Sequence, residues 1–515
     1  MPEAPSPPLV PAPGGASRRD PVREEVLNAA LASLPEGRAR ALLPDLYAHL
    51  AARELASRDP QELAAAALSL TDLAATRAPG EAALRLTPPG AGRGPHAIAE
   101  IVTDDMPFLV DSVLAALTQQ GRVVQELLHP IQAGESLMRI TVAAGAGHLL
   151  PGMRPGDWPA VEAGLRRALA DVRVAVGDFD AMAALLDQAL GELRDAEAAE
   201  FLSWLRDDNF VLLGHRRLML EGDGARSVPA EDLGLLRDPA MPVFDALARL
   251  PLLDDRVRAA LAEDQPVTVA KANMRSTVHR PQHADVVATR ILGADGRPAG
   301  ARLFLGLFAA GAYNRNPRSI PLLRTKVERI LARAGVSPTS HDGRALRNIL
   351  DTWPRDELFQ ASEAEILEGA RVALDLSIRP RPALYVRPDP FGRFVSVIAW
   401  LPRESFDTRL RSRVGEMLAR AHGGRLSAFY IALGDAPLAR IHYIIGTDPA
   451  HRIAPDRAAL EAAVVQAARS FTDRLGEALA AERGEAAAGT TMATWRDAFP
   501  AAYREREEVA YKHKL

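Results

Sequence analysis

The sequence predicts an α+β protein, built from several small antiparallel sheets that are covered by helices and joined by helical segments. Two stretches carry this reading. From Ala97 the hydrophobic pattern is short and alternating in AIAEIVT, helical in DDMPFLVDSVLAALTQQG, alternating again in VVQELLHP and LMRITVAA, and helical from Trp158 to Val176. The same order returns after ALYVRPD: a strand FVSVIAWL, a helix from Phe406 to His422, strands LSAFYIAL and LARIHYIIG, and a long helix from Asp456 to Glu482. A β-α-β-β-α order at both places is that of a ferredoxin-like layer, and it reads as a divergent internal repeat. A length of 515 residues allows about three or four domains, and 48% apolar with 25% charged residues is the balance of a folding globular chain.

Taken in order, residues 1–21 are rich in Pro, Gly and Ser and read as a disordered leader. Residues 22–95 form a helical region, with Val26, Leu31, Leu34, Leu42, Leu46, Leu50 and Leu55 at amphipathic spacing and breaks at Pro35 and Pro60; its last part, Pro79 to Pro95, reads as a Pro/Gly linker. Residues 96–195 are the first sheet domain. Its helix starts with Asp104 or Asp105 as cap and Pro107 in the first turn, and stops at Gly121. Residues 196–340 are a second α+β unit of the same kind, with strands at Phe210 to Leu220, Val267 to Asn273, Ala284 to Leu292 and Ala301 to Phe308, then a helix from Ile320 to Ala334. Residues 341–380 read as a helical linker, 381–485 as the third sheet domain, and 486–515 as a truncated C-terminal segment.

The balance of 62 basic against 66 acidic residues gives a net charge of -4, so no global field draws the chain to nucleic acid or to an anionic membrane. The absence of cysteine excludes disulfides, thiolate metal sites and a cysteine nucleophile. The N-terminus lacks the basic start and apolar core of a secretory signal, and no long apolar run suggests a membrane span, so a cytoplasmic location is expected. No Gly-Lys pair exists for a phosphate-binding loop, and Gly90-Ala91-Gly92 and Gly145-Ala146-Gly147 lack the third glycine of a dinucleotide turn. His279 and His283 are four residues apart, but Pro281 between them argues against a helical zinc pair. Ser276 with His279 lacks the nucleophile elbow of a hydrolase.

Two groups of residues remain as candidate ligand sites. Asp104, Asp105 and Asp111 crowd a helix start, where acids cap N–H groups and complement the macrodipole; alternatively the turn presents N–H groups to a small carboxylate while an Asp reads its ammonium. The stretches KANMRSTVHRP and AYNRNPRSIPLLRTKV bring together Lys271, Arg275, His279, Arg280, Asn314, Arg315 and Arg318, followed by Arg324 and Lys326. Such a density of Arg and Asn suits an anionic ligand, because guanidinium binds carboxylate or phosphate in a fork. The competing reading is a structural polar network that ties two loops together.

Seven ordered blocks between Thr103 and Tyr503, TDDMPFLVDS, LLHP, FLSWLRDDNFVLLGHR, KANMRSTVHRP, GLFAAGAYNRNPRSIPLLRTKV with WPRDELFQ, and AFPAAY, closely resemble the N-terminal half of the large bacterial NAD-specific glutamate dehydrogenases. The resemblance implies ACT and ACT-like regulatory domains, then helical domains and a catalytic domain beyond Leu515. It implies oxidation of L-glutamate to 2-oxoglutarate and ammonia by the parent enzyme, with NAD bound by that enzyme and not by this chain, which is expected to be inactive alone. Its expected partners are the remainder of the dehydrogenase chain, further copies in a homo-oligomer, and an amino-acid effector. The ending REEVAYKHKL departs from the family pattern and suggests a truncated or frameshifted gene. The alternatives are a freestanding amino-acid sensor, or an enzyme acting on an anionic substrate at Lys271 and Arg315.

Overall fold

The computed structural model describes residues 20–90, 95–146, 157–221, 224–239, 241, 266–389, 392–434, 436–448, 451, 453–469, 471–495 and 498–499. Most of the expected leader, the glycines Gly92 and Gly147, most of the helical insertion before Val267 and the ending REEVAYKHKL lie outside them. The chain divides into two compact units, residues 1–180 with Arg275–His283, and residues 181–274 with 284–515.

In the first unit, α1 (Pro21–Ala32), α2 (Arg38–Leu46), α3 (Ala52–Ala56) and α4 (Pro60–Ala75) pack through Leu42, Leu43, Leu55, Leu63 and Leu70, all essentially buried. Asp20 and Asp59 cap α1 and α4, each with Pro at the first helical position, where its missing N–H costs nothing. The sheet follows: β1 (Ala83–Thr87), β2 (Ala97–Asp104), α5 (Leu109–Gln119), β3 (Arg122–Leu128), the short β4 (Ile131–Gln132), β5 (Glu135–Ala146) and α6 (Trp158–Gly177). Its strand order is β1-β2-β5-β3, antiparallel throughout. The strand β1 lies inside the stretch expected to be a linker. It pairs with β2 from Ala83 opposite Val102 to Thr87 opposite Ile98, and only Leu84 within it is buried. Gly121 ends α5 as expected, with φ 70° and its N–H on Thr118 O.

The second unit contains α7 (Phe179–Glu192), α8 (Ala196–Trp204), β6 (Phe210–Glu221), β7 (Gly224–Ser227), β8 (Leu233–Gly234), β9 (Val267–Arg275), β10 (His283–Leu292) and β11 (Pro298–Phe308). Here the expected ACT-like order does not hold. The sheet runs β7-β6-β11-β10-β9, and β9, β10 and β11 follow one another as a meander without an intervening helix. Their separations are short, and Gly296, with φ 77°, turns one of them. Helices α9 (Ala310–Asn314), α10 (Leu323–Ala334), α11 (His341–Asp351), α12 (Arg355–Gln360) and α13 (Glu363–Ile378) come next. The expected linker at 341–380 is core instead: Leu346, Leu350, Trp353, Leu358 and Ile366 are buried in one cluster with Phe304 of β11 and Ile398. Phe308 stacks on Phe359 at 4.6 Å.

The last sheet comprises β12 (Ala383–Pro388), β13 (Phe394–Pro402), α14 (Thr408–Ala421), β14 (Arg425–Ala432) and β15 (Leu438–Gly446), then α15 (Arg457–Ala468), α16 (Phe471–Arg483) and α17 (Glu485–Trp495). Its order, β12-β13-β15-β14, repeats that of the first sheet strand for strand, including an edge strand that precedes the β-α-β-β-α run. The shared hydrogen bonding extends to the turns. Asp105 N–H bonds Gly134 O ahead of β5, and Arg403 N–H bonds Pro437 O ahead of β15. The single helix expected from Asp456 to Glu482 is two helices, because Arg469 turns extended at ψ 135°.

Candidate functional site

At the N-terminus of α5 the expected caps are absent. Phe108 occupies the cap position with φ 69°, left-handed, and its side chain makes no cap hydrogen bond. Asp104 is still in β2, where Arg173 of α6 at 2.7 Å and Arg77 at 3.0 Å hold its carboxyl below the usual carboxylate range. Asp105 is exposed. The helix start is filled instead by Arg275–His283, the turn that joins β9 to β10 and belongs to the first unit. Its own bonds shape it: Ser276 Oγ donates to Val278 O at 2.7 Å, and Ser276 N–H to Gln282 O at 2.8 Å.

The side chains of this turn address α5 and α6 one by one. Val278 is fully buried. Thr277 Oγ donates to Asp171 Oδ2 of α6 at 2.6 Å. His279, with φ 64°, donates its backbone N–H to Ser112 Oγ at 2.9 Å, and Ser112 Oγ donates in turn to Phe108 O at 2.6 Å. The His279 Nδ1 lies 2.9 Å from Asp111 Oδ2, and its ring packs on Phe108 with centroids 5.1 Å apart. Asp111, one of the three acids expected to cap the helix or to read a ligand's ammonium, thus faces an imidazole of its own chain.

A second arrangement is buried within the other unit. Lys271 Nζ on β9 sits 2.7 Å from Asp285 of β10 and 3.1 Å from Asp356 of α12, and Tyr313 OH donates to Asp356 at 3.2 Å. Burial opposes the lysine's charge, but the two carboxylates outweigh it and hold its pKa well above the ordinary value. Burial pushes Asp285 up to about 6 against the pull of Lys271. The neighbour of Asp356, Glu357, makes a two-point bond with Arg387 of β12, 2.7 Å on each arm, and both are 2% exposed. His442 Nε2 of β15 lies 2.8 Å from Ser396 Oγ and 3.7 Å from Glu357. Arg393 closes the group, gripping Asp389 and donating to Lys271 O. The helix α12 therefore sends two adjacent carboxylates to two different sheets.

The titration of Asp285 and of the buried histidines, His442 in this cluster and His215 and His422 elsewhere, has a definite sign. Asp285 folded keeps its proton to about pH 6, while its unfolded value is 3.8, so its contribution to stability falls as pH rises through that window. Burial depresses His442, His215 and His422, so the unfolded chain takes up their protons first below 6.5 and stability falls as pH falls. Asp285→Asn is expected to leave the histidine trend unopposed and to steepen the loss of stability between about pH 6 and about pH 4. Urea melts of both proteins across that range read it, and parallel curves would contradict it.

The residues of the basic stretches are divided between the two units. Arg275, His279 and Arg280 belong to the first unit, and Lys271, Asn314, Arg315 and Arg318 to the second. Arg318 forks onto Asp351 at 3.1 and 2.8 Å, and Arg324 onto Glu197 at 3.0 and 2.7 Å; Lys326 donates to the carbonyls of Phe359 and Ala361 at the end of α12. Asn314 and Arg315 are exposed, and Arg315 O accepts from Arg355 at 3.0 Å. The sequence reading missed Ser112, Asp171, Asp285, Asp356 and Glu357. The run Arg355-Asp356-Glu357 ahead of apolar Leu358 and Phe359 was a usable signal, since three charges at the start of an apolar helix need partners.

Comparison with known proteins bears on these regions. The model for the glutamate dehydrogenase ACT1 domain matches residues 42–135, helical motif 1 matches 320–379, the ACT2 domain matches 383–472, and helical motif 2 matches 478–510. The ACT1 match takes in the end of α2, then α3, α4 and β1 ahead of β2, and the last match runs into the ending that departs from the expected pattern. Curated relatives named NAD-specific glutamate dehydrogenase include that of Halomonas elongata, 32% identical over 507 residues and 89% of this chain. That of Pseudomonas aeruginosa is 31% identical over 80% of the chain, and that of Mycobacterium tuberculosis 28% over 81%. The chain spans 30% of the first of these proteins and 27% of each of the others.

Proposed function

Because the chain belongs to the glutamate dehydrogenase family, with its ACT1 and ACT2 domains and both helical motifs in order, we propose that it serves as the regulatory and assembly portion of an NAD-specific glutamate dehydrogenase. In this reading the parent enzyme oxidises L-glutamate to 2-oxoglutarate and ammonia, NAD is held by its catalytic portion, and this chain supplies control and contacts between copies. The observation that carries the proposal is the repeated sheet of order β1-β2-β5-β3 and β12-β13-β15-β14; the ACT2 match spans the whole of the second sheet, and the ACT1 match spans β1 to β4 of the first and ends where β5 begins. Edge strands support the assembly role. The strands β14 and β3 lie at the ends of their sheets, β14 with Tyr430 and Ile431 exposed and β3 with Val123 exposed, and such edges favour pairing with a further strand.

The freestanding amino-acid sensor fits less well, because the α5 start that would read an amino acid is already taken by Arg275–His283. An anionic substrate at Lys271 fits poorly, because its ammonium lies between two carboxylates. Deleting residues 97–176 from the whole dehydrogenase is expected to change its effector response or its mass in solution while the catalytic portion still reduces NAD. Unchanged kinetics together with unchanged mass would refute the proposal. No helix among the described residues is long and apolar enough to cross a membrane.

A further inference from the structure

Where the last sheet meets the helices that follow it, the second unit holds an open cleft of about 630 Å³, the size of a small-molecule site. Pro382 ahead of β12, Pro402 at the end of β13, Val465 of α15 and Met492 of α17 give it apolar surface. Its charge comes from one stretch of chain. Arg469, the extended residue after α15, pairs with Glu477 of α16, and Asp473 precedes Glu477 by one helical turn. The two side chains of the pair are 30% and 56% exposed, and an ion pair so wet is weak and exchanges partners at little cost.

Gly476 is the second sign of an occupant. It lines the cleft from inside α16, in ordinary helix and not among the left-handed glycines, and glycine is less favourable there than alanine. A methyl group in its place would touch the Met492 side chain at 3.9 Å, an ordinary contact. Neither a turn nor a close backbone approach calls for this glycine, and what it supplies is room in the cleft.

We infer that the cleft is a binding site for an α-amino acid with an apolar side chain. Arg469 takes the carboxylate in its fork, Glu477 and Asp473 take the ammonium, and the side chain lies on Val465 and Met492 in the room beside Gly476. One guanidinium against two carboxylates leaves an excess of negative charge, so an acidic side chain is turned away. The inference deepens the regulatory reading by naming a class of effector, and it rests on that reading for its purpose.

Calorimetry on the 515-residue chain with L-leucine, L-methionine and L-phenylalanine tests it. At least one of them is expected to bind saturably, and L-glutamate is expected not to compete. The same molecule without its ammonium, or without its carboxylate, is expected to bind at least about tenfold more weakly, the scale of one charged hydrogen bond. Arg469→Met and Glu477→Gln are expected to weaken binding by a similar factor, and Gly476→Leu, which fills the room, to abolish it with the far-ultraviolet circular dichroism unchanged. The two exposed-pair variants read the site even where Gly476→Leu fails to fold. No saturable heat with any of the three amino acids, or binding indifferent to the ammonium or to Arg469→Met, would overturn the site. Neither result would touch the dehydrogenase reading, which is decided by the deletion in the whole enzyme.

Discussion

Glu357→Gln is expected to lower the folding stability by about 3–5 kcal/mol, because it strands a buried guanidinium. Arg387 is 2% exposed and its two-point bond to Glu357 is made at 2.7 Å on each arm, so bulk solvent cannot replace the lost charge. Burial favours the neutral acid, but Arg387 outweighs it and holds Glu357 below the usual range, so the pair persists until strongly acid pH. Urea unfolding reads the loss as a lower midpoint at constant slope. The double variant Glu357→Met with Arg387→Met is the informative partner, since it removes the charge that the single variant leaves behind and is expected to recover most of the loss. A double variant no more stable than the single one would show that the site is sustained by packing and not by charge.

Lys271→Met is expected to have an effect of similar size, with a pH dependence of its own. It leaves Asp285 and Asp356 sharing a buried space without a cation, and two such carboxylates cannot both ionise cheaply. With Lys271 gone the Asp285 pKa rises beyond the present value of about 6, so the loss grows as the pH rises through neutrality and shrinks in acid. About 3–5 kcal/mol at pH 8 is the expected scale. Thermal melts at pH 8 and pH 5 distinguish this from an anion-binding lysine. A variant of full stability at both pH values would return Lys271 to the list of ligand-binding candidates.

The layers themselves were legible in the sequence because their helices and strands are long and their apolar periods regular: the helices from Trp158 and Phe406 and the strands from Phe394 and Leu438 lie within a few residues of expectation. Three things were not legible, each for a physical reason. The strand β1 has five residues and one buried side chain, too few for a period of two to show between Pro and Gly. The span 341–380 looked like a linker because its helices are short, yet Trp353 and Leu358 draw their burial from sheets far away in sequence. The polar residues were the hardest. Asp111 and His279 are 168 positions apart, and the same Arg-rich stretches suit a ligand or an internal carboxylate equally well until their partners are known.

The early position of the edge strand in both repeats bears on the order in which the chain is made. A layer whose fourth strand followed its second helix would wait, unfinished and with an open edge, until that helix and strand had left the ribosome. Here β1 and β12 emerge before the strands they flank, and each pairs with its immediate successor, a contact between near neighbours that closes with little loop entropy. Each sheet is therefore complete as soon as β5 or β15 appears, and the helix that follows only has to lie down on a finished surface. For a long chain made from one end, that order shortens the time during which apolar strands stand exposed to their neighbours on the same message.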